Sequence, residues 1–239
     1  IEIAEETSGD FDPTVGPLAR LWGFGYDTVR GDLSADSIEA VKAHTGYKAI
    51  HIDGMKISIP KNYTLDFNAI AQGYTVDYIA NYLHKKGIQN YMIEVGGEVR
   101  TRGVNEAGEV WRIGVDKPSK DIDSADRFQF IVQLKNSGLA TSGNYRKFWV
   151  DEETGVRYSH TINPHTGYPA ENRLLSASLI APTAMDADAY ATVCMVRGLE
   201  GCKEILSQHE ELEGYLIFDT DGKEWGTYIT KGFENIIVD

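Results

Sequence analysis

Asp188 and Thr192 stand four residues apart, a spacing that sets a carboxylate and a hydroxyl on one face of a helix. Two hard oxygens so placed can hold Mg²⁺, which keeps several waters and completes its octahedron with substrate phosphate. A plainer account also stands: Asp188 favours the helix N-terminal dipole and Thr192 bonds a preceding carbonyl. Asp186, two residues earlier, reads as the N-cap. Upstream, Tyr158-Ser-His-Thr-Ile-Asn-Pro-His-Thr-Gly-Tyr-Pro169 is rich in turn residues around His160. A loop imidazole can take a proton from a hydroxyl near neutral pH, or its ring can simply bond local backbone. His165 has no feature that recommends it. Thr141-Ser-Gly143 reads as a strand-end turn whose hydroxyls and amides can also meet an anion. Trp22-Gly-Phe-Gly25 sets two aromatics beside permissive backbone, suited to stacking on a planar ring or to burial in a core.

Composition narrows what such groups can serve. The 239 residues are 42% hydrophobic and 25% charged, as in a soluble globular protein. A formal charge of −13 excludes a nucleic-acid binder that works through a basic stripe. It also repels phosphate compounds, so an anionic ligand needs a local cation, and a divalent ion on a carboxylate supplies one. Two cysteines, Cys194 and Cys202, are too few for a disulfide framework and lack metal-ligand spacing, and Cys194 reads as core. No run approaches the roughly 20 apolar residues of a membrane span. The chain begins at Ile1 without initiator Met, signal peptide or lipoprotein cysteine, and is expected to be a trimmed form.

The elements that must position these groups follow from periodicity and punctuation. Pro13 is expected to open a helix reaching Trp22, and Ser34 or Asp36 to cap a second that ends before Gly46. Ala49–Ile52 and Lys56–Ile59 form a hairpin around Asp53-Gly54. Ala69–Lys86 has helical spacing closed by Gly87. Strands are expected at Tyr91–Val95, Val99–Gly103, Val110–Val115, Phe128–Leu134 and Leu175–Ala181, with a tight turn at Gly96-Gly97. Helices at Ala184–Val196 and Leu199–Ser207 precede a last hairpin of Tyr215–Phe218 and Glu224–Ile229. Hairpin-joined strands with interspersed helices, and no long linker, predict one α+β domain over 1–239 with a mainly antiparallel sheet. Neither a strand–GxGxxG–helix unit nor a Walker loop is present.

Several stretches, in this order, resemble the ApbE family of FAD:protein FMN transferases, in the form found in Bacteroides-type bacteria. They are Phe11-Asp-Pro-Thr-Val-Gly-Pro-Leu18 with Leu21-Trp-Gly-Phe24, and Asp66-Phe-Asn-Ala-Ile-Ala-Gln-Gly73. Further on come Glu94-Val-Gly-Gly-Glu98, Trp111-Arg-Ile-Gly114, Ala140-Thr-Ser-Gly143, His160–Gly167 and Ala187-Asp-Ala-Tyr-Ala-Thr192. The resemblance implies a Mg²⁺-dependent enzyme that splits FAD, passes FMN to a threonine hydroxyl of an acceptor protein and releases AMP. By position it implies metal ligands at the Ala69 carbonyl, Asp188 and Thr192, with the Ala191 backbone close by. It implies FAD contacts at Trp22, Gly23, Phe24, Asp66, Gln72 and Ile162, and His160 as the base. FAD is then a substrate and not a redox prosthetic group. Many family members carry Lys where this chain has Gln72, and the family's opening strand and first flavin-contacting segment would precede Ile1.

Family resemblance further implies export and lipid anchoring toward the periplasm, with an acceptor in a membrane redox complex. Two alternatives stand beside it: an FAD pyrophosphatase that uses the same metal site and yields FMN and AMP, and a flavin-binding or storage protein without turnover. With Asp188 read as a surface-facing ligand, Asp188→Ala is expected to abolish turnover and leave a folded protein, checked by activity and circular dichroism.

Overall fold

The computed structural model describes residues 1–25, 29–117, 128–144, 147–222 and 224–238. Helices α1 (Glu2–Glu6), α2 (Gly16–Leu21) and α3 (Ala35–Lys42) come first, then the short strands β1 (His51–Asp53) and β2 (Lys56–Ser58). Helix α4 (Ala71–Lys85) leads into β3 (Tyr91–Val95), β4 (Glu98–Arg102), β5 (Trp111–Asp116), β6 (Phe128–Leu134) and β7 (Gly138–Gly143). Strands β8 (Phe148–Val150), β9 (Arg157–Ser159) and β10 (Leu174–Ala181) precede the long helix α5 (Ala184–Gln208). The chain closes with β11 (Glu213–Asp219), β12 (Trp225–Ile229), α6 (Lys231–Glu234) and β13 (Ile237–Val238). Helices are thus interspersed with sheets in which every described pairing is antiparallel, the α+β class expected.

The fold divides into two compact units, Ile1–Phe67 with Lys147–Glu171, and Asn68–Arg146 with Asn172–Asp239. In the first, α2, α3 and the 160–170 loop enclose Leu18, Trp22, Ile38 and Ile162, with Trp149 and Tyr158 packed against them. Burying each such side chain contributes about 1.5–3 kcal/mol. Helix α2 starts at Gly16 with Pro17 in its first turn, not at Pro13. The reason is Asp12, whose carboxylate accepts both the N–H and the hydroxyl of Thr14 and holds that stretch as a turn. Helix α3 is capped by Ser34, which accepts the Ser37 N–H.

In the second unit a six-stranded sheet runs β12-β11-β10-β7-β4-β3, beside a three-stranded sheet β13-β6-β5. Valines and leucines of β4 to β7 meet Tyr215, Ile217 and Phe233 in its core. Gly96 and Gly97, at φ 70° and 115°, make the two-residue turn that joins Val95 to Glu98. Such a left-handed pair is the type I′ pattern that matches the strand twist at a two-residue hairpin. Thr141–Gly143 lies inside β7, paired with β10, and is not a strand-end turn.

Helix α5 packs on β7, β10 and α4, and its first half is buried on nearly every side. Small residues permit that approach: Ala184, Ala187, Ala189 and Ala191 are all fully buried. Thr183, not Asp186, is its N-cap; the extended backbone there lets the Thr183 hydroxyl oxygen accept the Asp186 N–H at 3.0 Å. Asp77 on α4 accepts the next free donors, the N–H groups of Ala184 and Met185, at 3.1 and 2.8 Å. Arg100 lies 3.7 Å from that carboxylate.

The two helices expected after Ala184 meet at Gly198, whose φ of 75° breaks the helical path within α5. Asn172 donates to the Met195 carbonyl beside the break. A straight helix would separate Cys194 and Cys202 by roughly 12 Å. The kink brings their Cα atoms to 4.6 Å and the two form a disulfide, which their number and spacing did not announce. Cys194 is also core, fully buried as expected.

Close approach of α4 to the start of α5 depends on Gly73. A Cβ there would lie 2.5 Å from the Ala184 carbonyl oxygen and 2.8 Å from the Met185 Cα, both backbone. Gly73→Ala is therefore expected to lower stability by about 1–3 kcal/mol, the range for overpacking. Urea unfolding checks this, and an unchanged midpoint would show that the helices part at no cost.

Candidate active site

Asp188 projects from the second turn of α5, and burial defines its chemistry. It is only 6% exposed, so the expectation of a surface-facing carboxylate is corrected. The Gly73 N–H donates to its Oδ2 at 3.1 Å. Burial, followed by the negative charge of Glu98, pushes its pKa up to about 7, and the Gly73 bond opposes the rise. Thr192 lies one turn on, its Oγ1 3.5 Å from the Ser142 hydroxyl of β7. Ala191 between them is fully buried, Ala69 half-buried, and Gln72 exposed at the head of α4.

Glu98 joins this group, and sequence reasoning gave it no role. It opens β4 just after the Gly96-Gly97 turn and is 6% exposed. Its Oε2 is buried and has no hydrogen-bond partner among the described residues. Burial raises its pKa; its own backbone N–H opposes the rise and the charge of Glu94 adds to it. The only available signal was an acidic residue inside the Glu94–Glu98 motif, where acids are commonly solvated. An orphaned carboxylate oxygen, a second carboxylate and a nearby hydroxyl form a hard-oxygen set that suits Mg²⁺. No group of three or more His, Cys, Asp or Glu side chains with metal-site geometry occurs among the described residues.

In the other unit, α2 ends at Trp22, and Gly23, at φ 80°, reverses the chain there. The Gly23 and Phe24 N–H groups return to the Arg20 and Ala19 carbonyls, both at 2.9 Å. The Trp22 ring is 3% exposed and packs against Trp149, Tyr158 and Tyr168 with centroids 6.3, 5.1 and 5.6 Å away. Its indole N–H donates to the Gly167 carbonyl at 2.8 Å, and its own carbonyl accepts the Trp149 indole N–H at 3.0 Å. Burial in the core is thus the role its ring fulfils; Phe24 stays half-buried, edge-on to His160 at 6.3 Å. Asp66 is half-buried, and its N–H donates to the Pro13 carbonyl at 2.7 Å.

The 160–170 loop is held by its own turn chemistry. The Asn163 side chain accepts the N–H groups of His165 and Thr166, and Ile162 bridges to Pro169. Ile162 is buried, and His165 pairs with Asp10 at 3.0 Å. The His160 Nδ1 sits 3.2 Å from the Lys147 carbonyl. A carbonyl only accepts, so Nδ1 carries the hydrogen of the neutral ring and Nε2 keeps its lone pair. Burial lowers the His160 pKa and the Lys147 charge lowers it further, against a raising effect of the Lys147 carbonyl bond. The ring is therefore neutral at pH 7, the state a base requires.

The sequence pattern of the ApbE family matches residues 1–216. The FAD:protein FMN transferase of Escherichia coli K12 is 36% identical over all of this chain, which spans 68% of that protein. The transferase of the same name from Vibrio cholerae is 40% identical over 95% of this chain and 67% of its own length. Among solved structures, the flavin transferase ApbE from Vibrio cholerae superposes with TM-score 0.83 at 38% identity, covering 98% of this chain and 73% of that one. The apbe protein from Thermotoga maritima gives TM-score 0.85 at 30% identity over 100% of this chain and 75% of its own.

The Asp188 shift fixes the sign of a pH effect. Its folded pKa stands above 3.8, near 7, so the metal-free fold holds the proton more tightly than the unfolded chain. That contribution is full below the unfolded value and lost as pH rises through 7. Between pH 5 and 8 it is expected to fall by about 2–3 kcal/mol. Urea unfolding in chelator checks this: Asp188→Asn should flatten the slope, and an unaltered slope would assign it elsewhere.

Proposed function

This chain belongs to the ApbE family, and from that premise we propose that it catalyses Mg²⁺-dependent transfer of FMN from FAD to an acceptor threonine, releasing AMP. FAD as substrate and a protein as acceptor come from relatives that bear the transferase name across the chain's length. One observation carries the finer reading: a buried carboxylate one helical turn from a hydroxyl, beside a second carboxylate with an unpartnered oxygen. Asp188, Thr192 and the Ala69 carbonyl would hold the ion, with the Ala191 backbone close by. When bound, Mg²⁺ neutralises charge that develops on the pyrophosphate oxygens.

His160 Nε2 takes the proton of the acceptor hydroxyl. The threonine oxygen then bonds to the FMN phosphorus as the bond from that phosphorus to the AMP oxygen breaks, and AMP departs with the electron pair. Gly23, Phe24, Asp66 and Gln72 offer partly or fully exposed atoms to FAD, whereas Trp22 and Ile162 are buried and serve by holding loop shape. The proposal includes an oxidising, periplasm-facing location with a lipid anchor and an acceptor in a membrane redox complex. A disulfide between Cys194 and Cys202 supports the oxidising compartment. No described helix is long and apolar enough to cross a membrane.

The test is incubation with FAD, Mg²⁺ and a threonine-bearing acceptor, then denaturing electrophoresis under ultraviolet light. Fluorescence retained on the acceptor is the expected result. Free FMN and AMP with a dark acceptor would mark a pyrophosphatase, and intact bound FAD a storage protein. Asp188→Asn should lower transfer by at least about 100-fold. His160→Ala should slow transfer far more than it weakens FAD binding; equal losses in both would make it a binding residue.

A further inference from the structure

Glu98 is a nearly buried carboxylate that the ligand set of Asp188, Thr192 and the Ala69 carbonyl leaves out. Removing a carboxylate from water costs several kcal/mol unless a cation or hydrogen-bond donors compensate. Its Oε2 has neither among the described residues, and the charges that act on it, Glu94 and Asp188, are negative. At the neighbouring turn the backbone N–H of Glu98 offsets this only in part. A Cβ on Gly96 would overlap the Gln72 amide nitrogen at 1.6 Å and lie 3.5 Å from Glu98 Oε2, so the side chain lodged against this turn is neutral. Strand β4, which starts with Glu98, packs under α5, which carries Asp188.

We propose that Glu98 is a second carboxylate of the cation site, so that it and Asp188 together bind the divalent ion as a dianionic pair. This rests on the reading of Asp188 as a metal ligand. Glu98 is thereby a positioning and affinity residue for the ion, whose charge supplies the compensation its buried oxygen lacks. Two carboxylates also explain how a small oxygen site can hold its ion before a phosphate-bearing substrate adds further ligands.

The test uses Mn²⁺ alone with the full chain, without FAD, and free Mn²⁺ read by electron paramagnetic resonance. Glu98→Gln should weaken Mn²⁺ binding at least tenfold, Asp188→Asn at least as much, and Glu98→Asp should retain most of the affinity. The metal-free Glu98→Gln protein should unfold at the same or higher urea concentration than the parent, because a buried like charge is gone. Wild-type Mn²⁺ affinity in Glu98→Gln, with loss in Asp188→Asn, would overturn the role of Glu98 and leave the Asp188 site standing. Wild-type affinity in both would overturn the cation site itself. If Glu98→Gln does not fold, Glu98→Asp decides: a tenfold loss or more with an intact fold contradicts the proposal that charge at this position is what matters.

Discussion

Desolvation of the Asp188 carboxylate is the constraint on which the larger unit is organised. The start of α5 is held by the Thr183 cap, by the Asp77 carboxylate on two of its free N–H groups, and by contact with Gly73. Each of these fixes the helix where Ala187, Asp188 and Ala189 are shut off from water. The surroundings that position the carboxyl at the second turn also raise its pKa to about 7. A pair of buried acids in this state contributes little stability of its own.

The same physics acts with opposite sign on His160. Burial holds the imidazole neutral, and the Lys147 carbonyl selects the tautomer with a free Nε2. Burial therefore leaves His160 neutral and makes Asp188 hold its proton more tightly. Neither effect requires an unusual residue. It requires ordinary residues on elements whose backbone is already satisfied, as the Asn163 turn does for the loop and Asp77 does for the helix.

Trp22 illustrates how one residue can serve a site by being inaccessible. Its indole N–H fastens the Gly167 end of the loop while its ring fills the core of the smaller unit. Gly23 directly after it frees Phe24 to stand beside the imidazole. Loop position in that unit is thus coupled to packing of the indole ring.

Much of this is legible in local chemistry alone. Periodicity locates α4, both halves of α5 and nearly every long strand within a residue or two, and the helix break at Gly198 and the turn at Gly96-Gly97 fall where the pattern places them. The Asp188–Thr192 spacing and the turn-rich His160 loop are visible because helix pitch and turn propensity are properties of neighbours along the chain. What neighbours cannot report is burial. That Asp188 is dry and that Glu98 joins it depend on segments far apart in the chain, and the kink that lets Cys194 reach Cys202 is met by Asn172 from another segment. Residue order therefore dictates which groups are present and how each segment coils. Which of those groups lose water is left to the folded arrangement, because solvent is excluded by packing between remote elements.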